Sequence, residues 1–304
     1  MKKPEPPPAK PNSLVIWRFT DGKPGHEKQT LGLSHALAAL TPCRIIDIPV
    51  QRGLINAWHW LTGRFPAGAH VPAPQLLIGA GHSTHLPLLA ARRARGGKIV
   101  LLMAPSLPLA WFDLCLIPEH DRPPSRRNVI PTQGALNTVT PGNRHDPNQG
   151  LVLVGGPSPH FQWDSASIAH QIHQLAAKKP QMRWTLSTSR RTPSAFLGQI
   201  DPRAIHCLPA ENTPPGWLEA QLAQTGEAWV TPDSVSMVFE ALTSGARVGV
   251  LDLPPVANSR VAKGLLQLKS AGRIALFPDL EPKSNPDFNE SQRCARRILE
   301  RWLP

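Results

Sequence analysis

Short apolar runs alternate with longer segments of helical periodicity along most of the chain. Runs rich in Val, Ile and Leu between Gly, Pro or polar turns are typical of buried strands, and apolar residues at three- and four-residue spacing are typical of helices. Predicted strands occupy residues 14–20, 43–49, 98–103, 114–117, 129–130, 150–154, 182–186, 205–208, 228–230, 247–251 and 274–277. Residues 75–84 are predicted to form a further strand and the loop that follows it. Predicted helices occupy residues 27–40, 54–61, 86–95, 165–179, 193–199, 217–224, 235–244, 259–271 and 289–302. This alternation predicts an α/β protein whose parallel sheets carry helices on both faces.

The pattern restarts after a proline-rich, polar stretch between Pro118 and Asn148. Such stretches are typical of domain boundaries, so we expect a first domain of residues 13–148 and a second of residues 149–304. The last predicted helix is amphipathic, and we expect it to pack back on the first domain. Residues 1–12 are polar and proline-rich, which predicts a disordered tail.

Composition is that of a globular protein, with 41% hydrophobic residues among 304. No apolar run reaches the roughly 18 residues of a membrane-spanning helix, and the first residues lack the apolar segment of a signal peptide. We therefore expect a cytoplasmic protein. The four cysteines lie far apart without a Cys-x-x-Cys pair, which favours neither a zinc site nor a disulfide framework.

The net charge of +12 is concentrated in the first half, where 17 Lys and Arg stand against 8 Asp and Glu up to Asp146. A basic half indicates an anionic partner: a nucleic acid, a lipid surface or a phosphorylated substrate. RNA is disfavoured because aromatic residues are only 6% of the chain and no RNA-binding motif occurs. We expect weak, salt-sensitive binding to the inner face of the inner membrane, unless the tryptophans are core residues and the arginines a solvated face. The residues behind this expectation are Trp58, Trp60, Arg92, Arg93, Arg95, Arg126 and Arg127.

Several common chemistries are excluded by absent residues. The chain has no tyrosine, so the Tyr-x-x-x-Lys pair of short-chain dehydrogenases and sugar-nucleotide epimerases is missing. There is no P-loop, and the Gly79–Thr84 segment lacks the third glycine of a dinucleotide fingerprint. No Asp-x-Asp pair follows a strand to hold a cation, so we expect no metal and no resident cofactor.

A glycine-rich loop, Asp21–His26, follows the first predicted strand and opens a helix. Its glycines let the backbone approach a ligand closely, and His26 would lie near the positive end of the helix. Histidine is a common general base near neutral pH, so His26 is a catalytic candidate. The alternative is a tight turn in which His26 is only a polar residue at a helix end.

A second candidate is the segment from Trp229 to Asp252, which predicts strand, loop, helix, a stop at Gly245 and another strand. A helix that begins just past a buried strand aims its free N–H groups at the crevice where anions bind. A diphosphate would fit there, with Ser236 and Glu240 on one side of the helix and Glu240 placed to take ribose hydroxyls. The alternative is that Asp233 or Ser234 caps a helix whose polar face is solvated.

Two further loops, residues 153–158 and 187–192, follow strands at the same predicted edge. Arg190 and Arg191 could clamp phosphates, because a guanidinium meets phosphate oxygens with two parallel hydrogen bonds. Each loop alone is better explained as a plain turn. Their shared edge favours a joint binding site.

Five blocks, at residues 20–33, 79–84, 153–158, 187–193 and 233–240, resemble in the same order those of the mitochondrial fission family named for elongated mitochondria, which has many bacterial members. That family is in turn similar to GT-B glycosyltransferases, in which two Rossmann-like domains face each other across a cleft. The resemblance implies an acceptor site on the first domain and a nucleotide-sugar site on the second. The expected catalytic residues are His26 and Asp21, and the expected acceptor-side residues are Gly22, Lys23, Gly25, Gly81, His82 and Ser83. The expected donor-side residues are Gly155, Gly156, Ser158, Ser187, Arg190, Arg191, Asp233, Ser234, Ser236, Met237 and Glu240.

The resulting hypothesis is a metal-independent transferase that moves a sugar from a nucleotide-diphosphate donor to a phosphorylated or lipid-linked acceptor. Two alternatives stay open: a non-catalytic adaptor of the mitochondrial fission type, and a nucleotide-sugar-binding protein without activity. The sugar, the base, the acceptor and the oligomeric state are left open by the sequence.

Overall fold

The computed structural model describes residues 13–50, 53 and 55–302. In this part of the chain there are two compact units, one of residues 13–138 with 290–302 and one of residues 139–289. The boundary expected at residue 148 falls inside a strand, because the polar residues from Asp146 onward already pair in the second sheet. The predicted tail lies outside the described residues.

The first unit is built on a parallel six-stranded sheet of order β2-β1-β3-β4-β5-β6. Its strands are β1 (Leu14–Thr20), β2 (Cys43–Pro49), β3 (Leu76–Ala80), β4 (Lys98–Leu102), β5 (Leu114–Pro118) and β6 (Val129–Thr132). Its helices are α1 (Pro24–Leu40), α2 (Ile55–Thr62), α3 (His85–Arg95) and the last helix of the chain, α8 (Glu290–Trp302).

Alternation along β1 divides the core of the first unit between the two faces of its sheet. Leu14 and Ile16 pack in one cluster with residues of α1 and α8, whereas Val15 and Trp17 pack in another with residues of α3. Helix α8 is held by hydrogen bonds as well as by packing. The Ser291 hydroxyl donates to the Asn137 carbonyl at 2.9 Å, so the end of the chain completes this unit.

The second unit is built on a parallel sheet of order β12-β11-β10-β7-β8-β9 around a single apolar core. Its strands are β7 (Asp146–Leu153), β8 (Arg183–Ser187), β9 (Ile205–Leu208), β10 (Thr225–Val230), β11 (Arg247–Val250) and β12 (Ala275–Leu276). Its helices are α4 (Ser165–Lys178), α5 (Trp217–Leu222), α6 (Val235–Ser244) and α7 (Arg260–Ser270). The predicted α/β class, with parallel sheets in two Rossmann-like units, is confirmed.

Two predicted helices differ from the structure. The helix predicted at residues 193–199 is wrong, because hydrogen bonds there close turns of three residues and leave only a 3₁₀ turn at Leu197–Gln199. Helix α1 begins three residues earlier than predicted, since Pro24 suits a first helical position where no N–H is needed. As a result, His26 lies in the first turn of α1 and not before it. Within the described ranges, every helix is too short or too polar to span a lipid bilayer.

Candidate functional site

Strand order gives the first unit a crevice at the carboxyl ends of β1 and β3. These strands are neighbours, yet α1 follows β1 on one face of the sheet and α3 follows β3 on the other. Where the connections after two adjacent strands run to opposite faces of the sheet, the open carboxyl edge is the usual ligand site of α/β proteins. The loops that meet there are residues 21–23 and 81–84, which hold most of the expected acceptor-side residues.

The centre of this site is the carboxylate of Asp21, whose side chain is only 3% exposed. Its Oδ2 accepts from the Ser83 hydroxyl at 2.6 Å and meets Nδ1 of His26 at 2.9 Å. Its Oδ1 accepts from the backbone N–H of Lys23 at 3.2 Å. One carboxylate therefore joins the loop after β1, the loop after β3 and the imidazole of His26.

The ionisation of Asp21 fixes how the imidazole can act. Burial alone raises the pKa of Asp21, but the hydrogen bonds from Ser83, His26 and the Lys23 amide outweigh it and hold the pKa below the ordinary value of 3.8. At neutral pH the carboxylate is thus ionised and accepts a hydrogen bond from Nδ1–H of His26. This leaves Nε2 of His26 as the nitrogen that can take a proton from a ligand.

Glycine is required where the second loop passes the imidazole. Gly81 has φ +75°, and a Cβ at this position would lie 2.3 Å from Cε1 of His26. In the first loop, Gly22 has φ +78°, and its N–H donates to Oε1 of Glu27 at 2.9 Å. The expected Gly25 lies in the first turn of α1 with open space around it.

A cavity of about 450 Å³ adjoins the Asp21 cluster, a volume typical of small-molecule sites. Its lining combines the polar side chains of Lys23, His82 and Ser83 with apolar ones. The sequence patterns did not indicate the remaining residues that line this cavity in the described part of the chain. Those residues are Val50, Gly53, Asn56, Leu86 and Pro87, and the only signal for them was their position after β2 and β3.

A second crevice lies in the second unit, where β7 and β10 are neighbours although β8 follows β7 in the chain. Counted within the unit, the strand order is 3-2-1-4-5-6, the order of dinucleotide-binding folds, and the connections part between β7 and β10. The loops at residues 154–158, 188–192 and 231–234 follow three neighbouring strands at this edge. The structure brings these three loops into direct contact.

Asp233 is the hub of that contact. Its Oδ2 accepts from the Gly156 N–H at 2.9 Å and from Nη2 of Arg191 at 2.7 Å. Arg191 also donates from Nη1 to the carbonyls of Gly156 and Pro157, at 3.1 and 3.0 Å. Asp233 and Arg191 therefore hold loops together, which differs from the capping role that was the alternative for Asp233 and leaves Arg191 paired within the protein.

Both glycines of the 154–158 loop are needed for this close packing. A Cβ at Gly155 would lie 2.1 Å from Oδ2 of Asp233, and one at Gly156 would lie 2.1 Å from the Arg191 carbonyl. Two threonines that pattern reasoning missed complete the network. Thr231 accepts from the Gly155 N–H at 2.7 Å, and the Thr192 hydroxyl donates to the Val154 carbonyl at 3.0 Å.

Helix α6 begins at Val235, directly after this network. Ser236 is exposed in its first turn and Met237 is half-buried, whereas Ser234 makes no side-chain cap. Glu240 and Thr243 are buried, so the alternative of a solvated polar face on α6 is wrong. The Thr243 hydroxyl donates to the Phe239 carbonyl at 2.7 Å.

The remaining expected donor residues lie around the edge of the network. Arg190 is exposed, as is Arg191, and Ser187 is buried at the end of β8. The Ser158 hydroxyl accepts from the His160 N–H at 3.2 Å within its own loop. Among residues 13–50, 53 and 55–302, no three His, Cys, Asp or Glu side chains come together as a metal site requires.

Comparison with known proteins places this architecture in a family. The family model for mitochondrial fission ELM1 matches residues 24–302. An uncharacterized protein of Rickettsia prowazekii (strain Madrid E) is 23% identical over 353 residues, covering 94% of this chain and 98% of that protein.

Solved structures show the same arrangement at low sequence identity. A candidate UDP-N-acetylglucosamine 2-epimerase from Listeria monocytogenes has a TM-score of 0.54 and 10% identity, over 95% of this chain and 88% of that one. A UDP-GlcNAc 2-epimerase from Neisseria meningitidis, solved with UDP-GlcNAc bound, has a TM-score of 0.50 and 12% identity, over 96% and 100%. Such similarity concerns the fold alone, which is GT-B-like.

The lowered pKa of Asp21 predicts how its contribution depends on pH. Because the pKa is lower in the folded state, ionised Asp21 stabilises the fold above about pH 4, and this stabilisation is lost as the pH falls further. Asp21→Asn should therefore cost about 1–3 kcal/mol at pH 5 to 7, and the difference should shrink below pH 4. Denaturant unfolding of both proteins at several pH values measures this, and a difference that grows on acidification would contradict it.

The hub role of Asp233 predicts that Asp233→Asn loosens all three loops. Asparagine lacks the negative charge that pairs with Arg191 and strengthens the hydrogen bond from the Gly156 N–H, so we expect a loss of about 1–3 kcal/mol. Hydrogen exchange at residues 154–158 and 188–192 should become faster. Asp252→Asn, at an exposed position after β11, is the matched control and should leave both loops unchanged. Equal exchange in the two variants would show that Asp233 does not hold the loops.

Proposed function

We propose that this chain, which belongs to the mitochondrial fission ELM1 family, is a GT-B-type transferase that binds a nucleotide-diphosphate sugar on its second unit and an acceptor on its first. The observation that carries the proposal is the pair of prepared crevices described above. Each lies at the carboxyl edge of a parallel sheet, where the connections after two adjacent strands run to opposite faces. The loops of each crevice are held by hydrogen bonds to one buried aspartate.

The proposed donor site is the amino end of α6 with the loops fixed by Asp233. The first N–H groups of a helix lack partners within the helix, and together with the helix dipole they favour a diphosphate. Exposed Ser236 and exposed Arg190 are placed to meet phosphate oxygens, while Arg191 keeps the loop in position. Glu240, one turn after Ser236, is proposed to accept from ribose hydroxyls.

The proposed acceptor site is the cavity beside Asp21. Lys23 in its lining supplies positive charge for a phosphorylated acceptor and His82 supplies a polar ring, while Val50, Leu86 and Pro87 supply apolar contact. This combination of charged and apolar lining suits a phosphorylated or lipid-linked acceptor. A lipid-linked acceptor would be met at an anionic membrane surface, so weak peripheral binding there is part of the proposal.

In the proposed reaction, an acceptor oxygen attacks the anomeric carbon while the bond from that carbon to the diphosphate breaks. Nε2 of His26 takes the proton of the attacking hydroxyl, and ionised Asp21 stabilises the resulting imidazolium through Nδ1–H. The N–H groups at the start of α6, with Arg190, stabilise the negative charge that develops on the departing nucleoside diphosphate.

The two similar structures are of UDP-N-acetylglucosamine 2-epimerases, one of them with UDP-GlcNAc bound. They support UDP-sugars as the first donors to test, and they favour sugar epimerisation as a second candidate function. The two reactions are separable, because an epimerase changes the nucleotide sugar without any acceptor. Nuclear magnetic resonance of UDP-GlcNAc incubated with the protein alone would detect a new sugar isomer if the second candidate were correct.

The donor proposal is tested by thermal unfolding with nucleoside diphosphates and their sugars. A ligand at 100 times its dissociation constant adds about 2.7 kcal/mol of stability, which raises the melting temperature by several degrees. Glu240→Gln and Arg190→Gln should each reduce this shift. Arg203→Gln, an exposed arginine just before β9 at the opposite edge of the same sheet, should not.

The outcomes separate the candidate functions. If no nucleotide raises the melting temperature, the donor site is absent and a non-catalytic adaptor becomes the better explanation. If nucleotide sugars bind but His26→Ala leaves sugar consumption unchanged in the presence of phosphorylated acceptors, the transferase mechanism is wrong. Binding without consumption under any condition would indicate a nucleotide-sugar-binding protein.

A further inference from the structure

We propose that helix α2 is the part of this molecule that enters an anionic lipid surface, through the exposed face formed by Ile55, Trp58 and Leu61. The inference rests on the proposed function in one respect, which is that the partner is an anionic membrane surface. It assigns the contact to one face of α2, whereas the sequence indicated Trp58 and Trp60 together with the arginines.

The three side chains form one apolar face. They recur every three residues, so they lie on adjoining turns along one side of the helix. They are 42%, 62% and 63% exposed, although these are residue types that folded proteins usually bury. Single exposed apolar residues are normal, but three on one face of an eight-residue helix call for a contact.

The opposite side anchors α2 to the first unit. Trp60 is half-buried against the core, and its ring lies 5.6 Å from that of Trp111, which is itself partly exposed. The Arg93 side chain lies against Gly63, just past the end of the helix. The exposed face is therefore presented by a fixed helix.

Two of the five arginines expected to meet a membrane serve the fold instead. Arg92 pairs with Asp113 at 3.2 Å. Arg95 donates to the Val71 carbonyl at 2.9 Å and lies over the Trp17 ring. Arg93 is exposed and lies next to α2, so among these three it is the one placed to contribute to a surface charge.

Charge identifies the occupant as an anionic surface. From residue 48 to residue 112 the sequence contains no Asp or Glu, while it contains Arg52, Arg64, Arg92, Arg93, Arg95 and Lys98, of which Arg92 and Lys98 pair with Asp113. Each Lys or Arg near an anionic leaflet contributes about 1 kcal/mol at most, and tryptophan favours the headgroup level. A second copy of the chain is disfavoured by like charge. Three side chains also fall well short of the roughly 800 Å² per partner that stable protein interfaces bury.

Sedimentation of the full chain with lipid vesicles tests the assignment. Vesicles of phosphatidylcholine are compared with vesicles containing roughly one third phosphatidylglycerol, at low and high salt. We expect the wild type to sediment with the anionic vesicles at low salt only. Trp58→Ser with Leu61→Ser should lower the partition coefficient about ten-fold. Leu266→Ser, which removes an exposed leucine from α7 of the second unit, should behave as the wild type.

Two results would overturn the inference in different ways. If the Trp58 and Leu61 double variant sediments like the wild type, the docking surface lies elsewhere and only the assignment to α2 is wrong. If the wild type stays in the supernatant with every vesicle, the membrane partner itself is wrong. Thermal unfolding of the double variant with nucleotide sugars is measured in parallel. An unchanged nucleotide shift shows that its fold and donor site are intact.

Discussion

Both candidate sites depend on one topological constraint. At the carboxyl edge of each parallel sheet, the connections that follow two adjacent strands run to opposite faces of the sheet. In the first unit the two strands are β1 and β3, and in the second they are β7 and β10. Strands in parallel sheets end at a common edge, and the loops that follow them cannot cover that edge where their helices pack on opposite faces. Each crevice is thus a consequence of chain order, and each is filled by short polar loops that carry glycine.

A buried aspartate organises each crevice, but the two aspartates act differently. Asp21 holds the imidazole of His26 in one orientation beside a cavity, so its effect is directed at a reacting group. Asp233 accepts from Arg191 and a loop amide, so its effect is directed at the shape of the second crevice. The same residue type therefore orients a proton acceptor in one unit and fixes the loops around a proposed phosphate site in the other.

Strands buried on both faces could be predicted well from the sequence, because continuous apolar runs are required there. Strand β1 at Leu14–Thr20, which is buried at six of its seven residues, was predicted to the residue. Strand β10 was predicted three residues too short because it includes Glu227. That carboxylate is buried against Lys179 at 2.6 Å, a partner 48 positions away that no local pattern can reveal.

The loops that form the candidate sites could be predicted from the sequence, but the role of each residue in them could not. Arg190 and Arg191 are equivalent in the sequence and both are exposed, and only the three-dimensional position of Asp233 shows that Arg191 pairs within the protein. Likewise, periodicity placed Glu240 on the same side of the helix as Ser236, whereas in the structure Ser236 is exposed and Glu240 is buried. Hydrophobic patterns describe which residues face a core, but they do not record which polar groups meet across loops.

The central claim is that a nucleotide sugar binds at the carboxyl edge of the second sheet, and hydrogen exchange with and without UDP-GlcNAc tests it most directly. The account predicts slower exchange in residues 154–158, 188–192 and 231–240. The opposite, amino edge of the same sheet has its own cavity of about 500 Å³, which includes Arg203 and Gln224. Protection confined to that edge, or no protection anywhere in the second unit at saturating ligand, would contradict the claim.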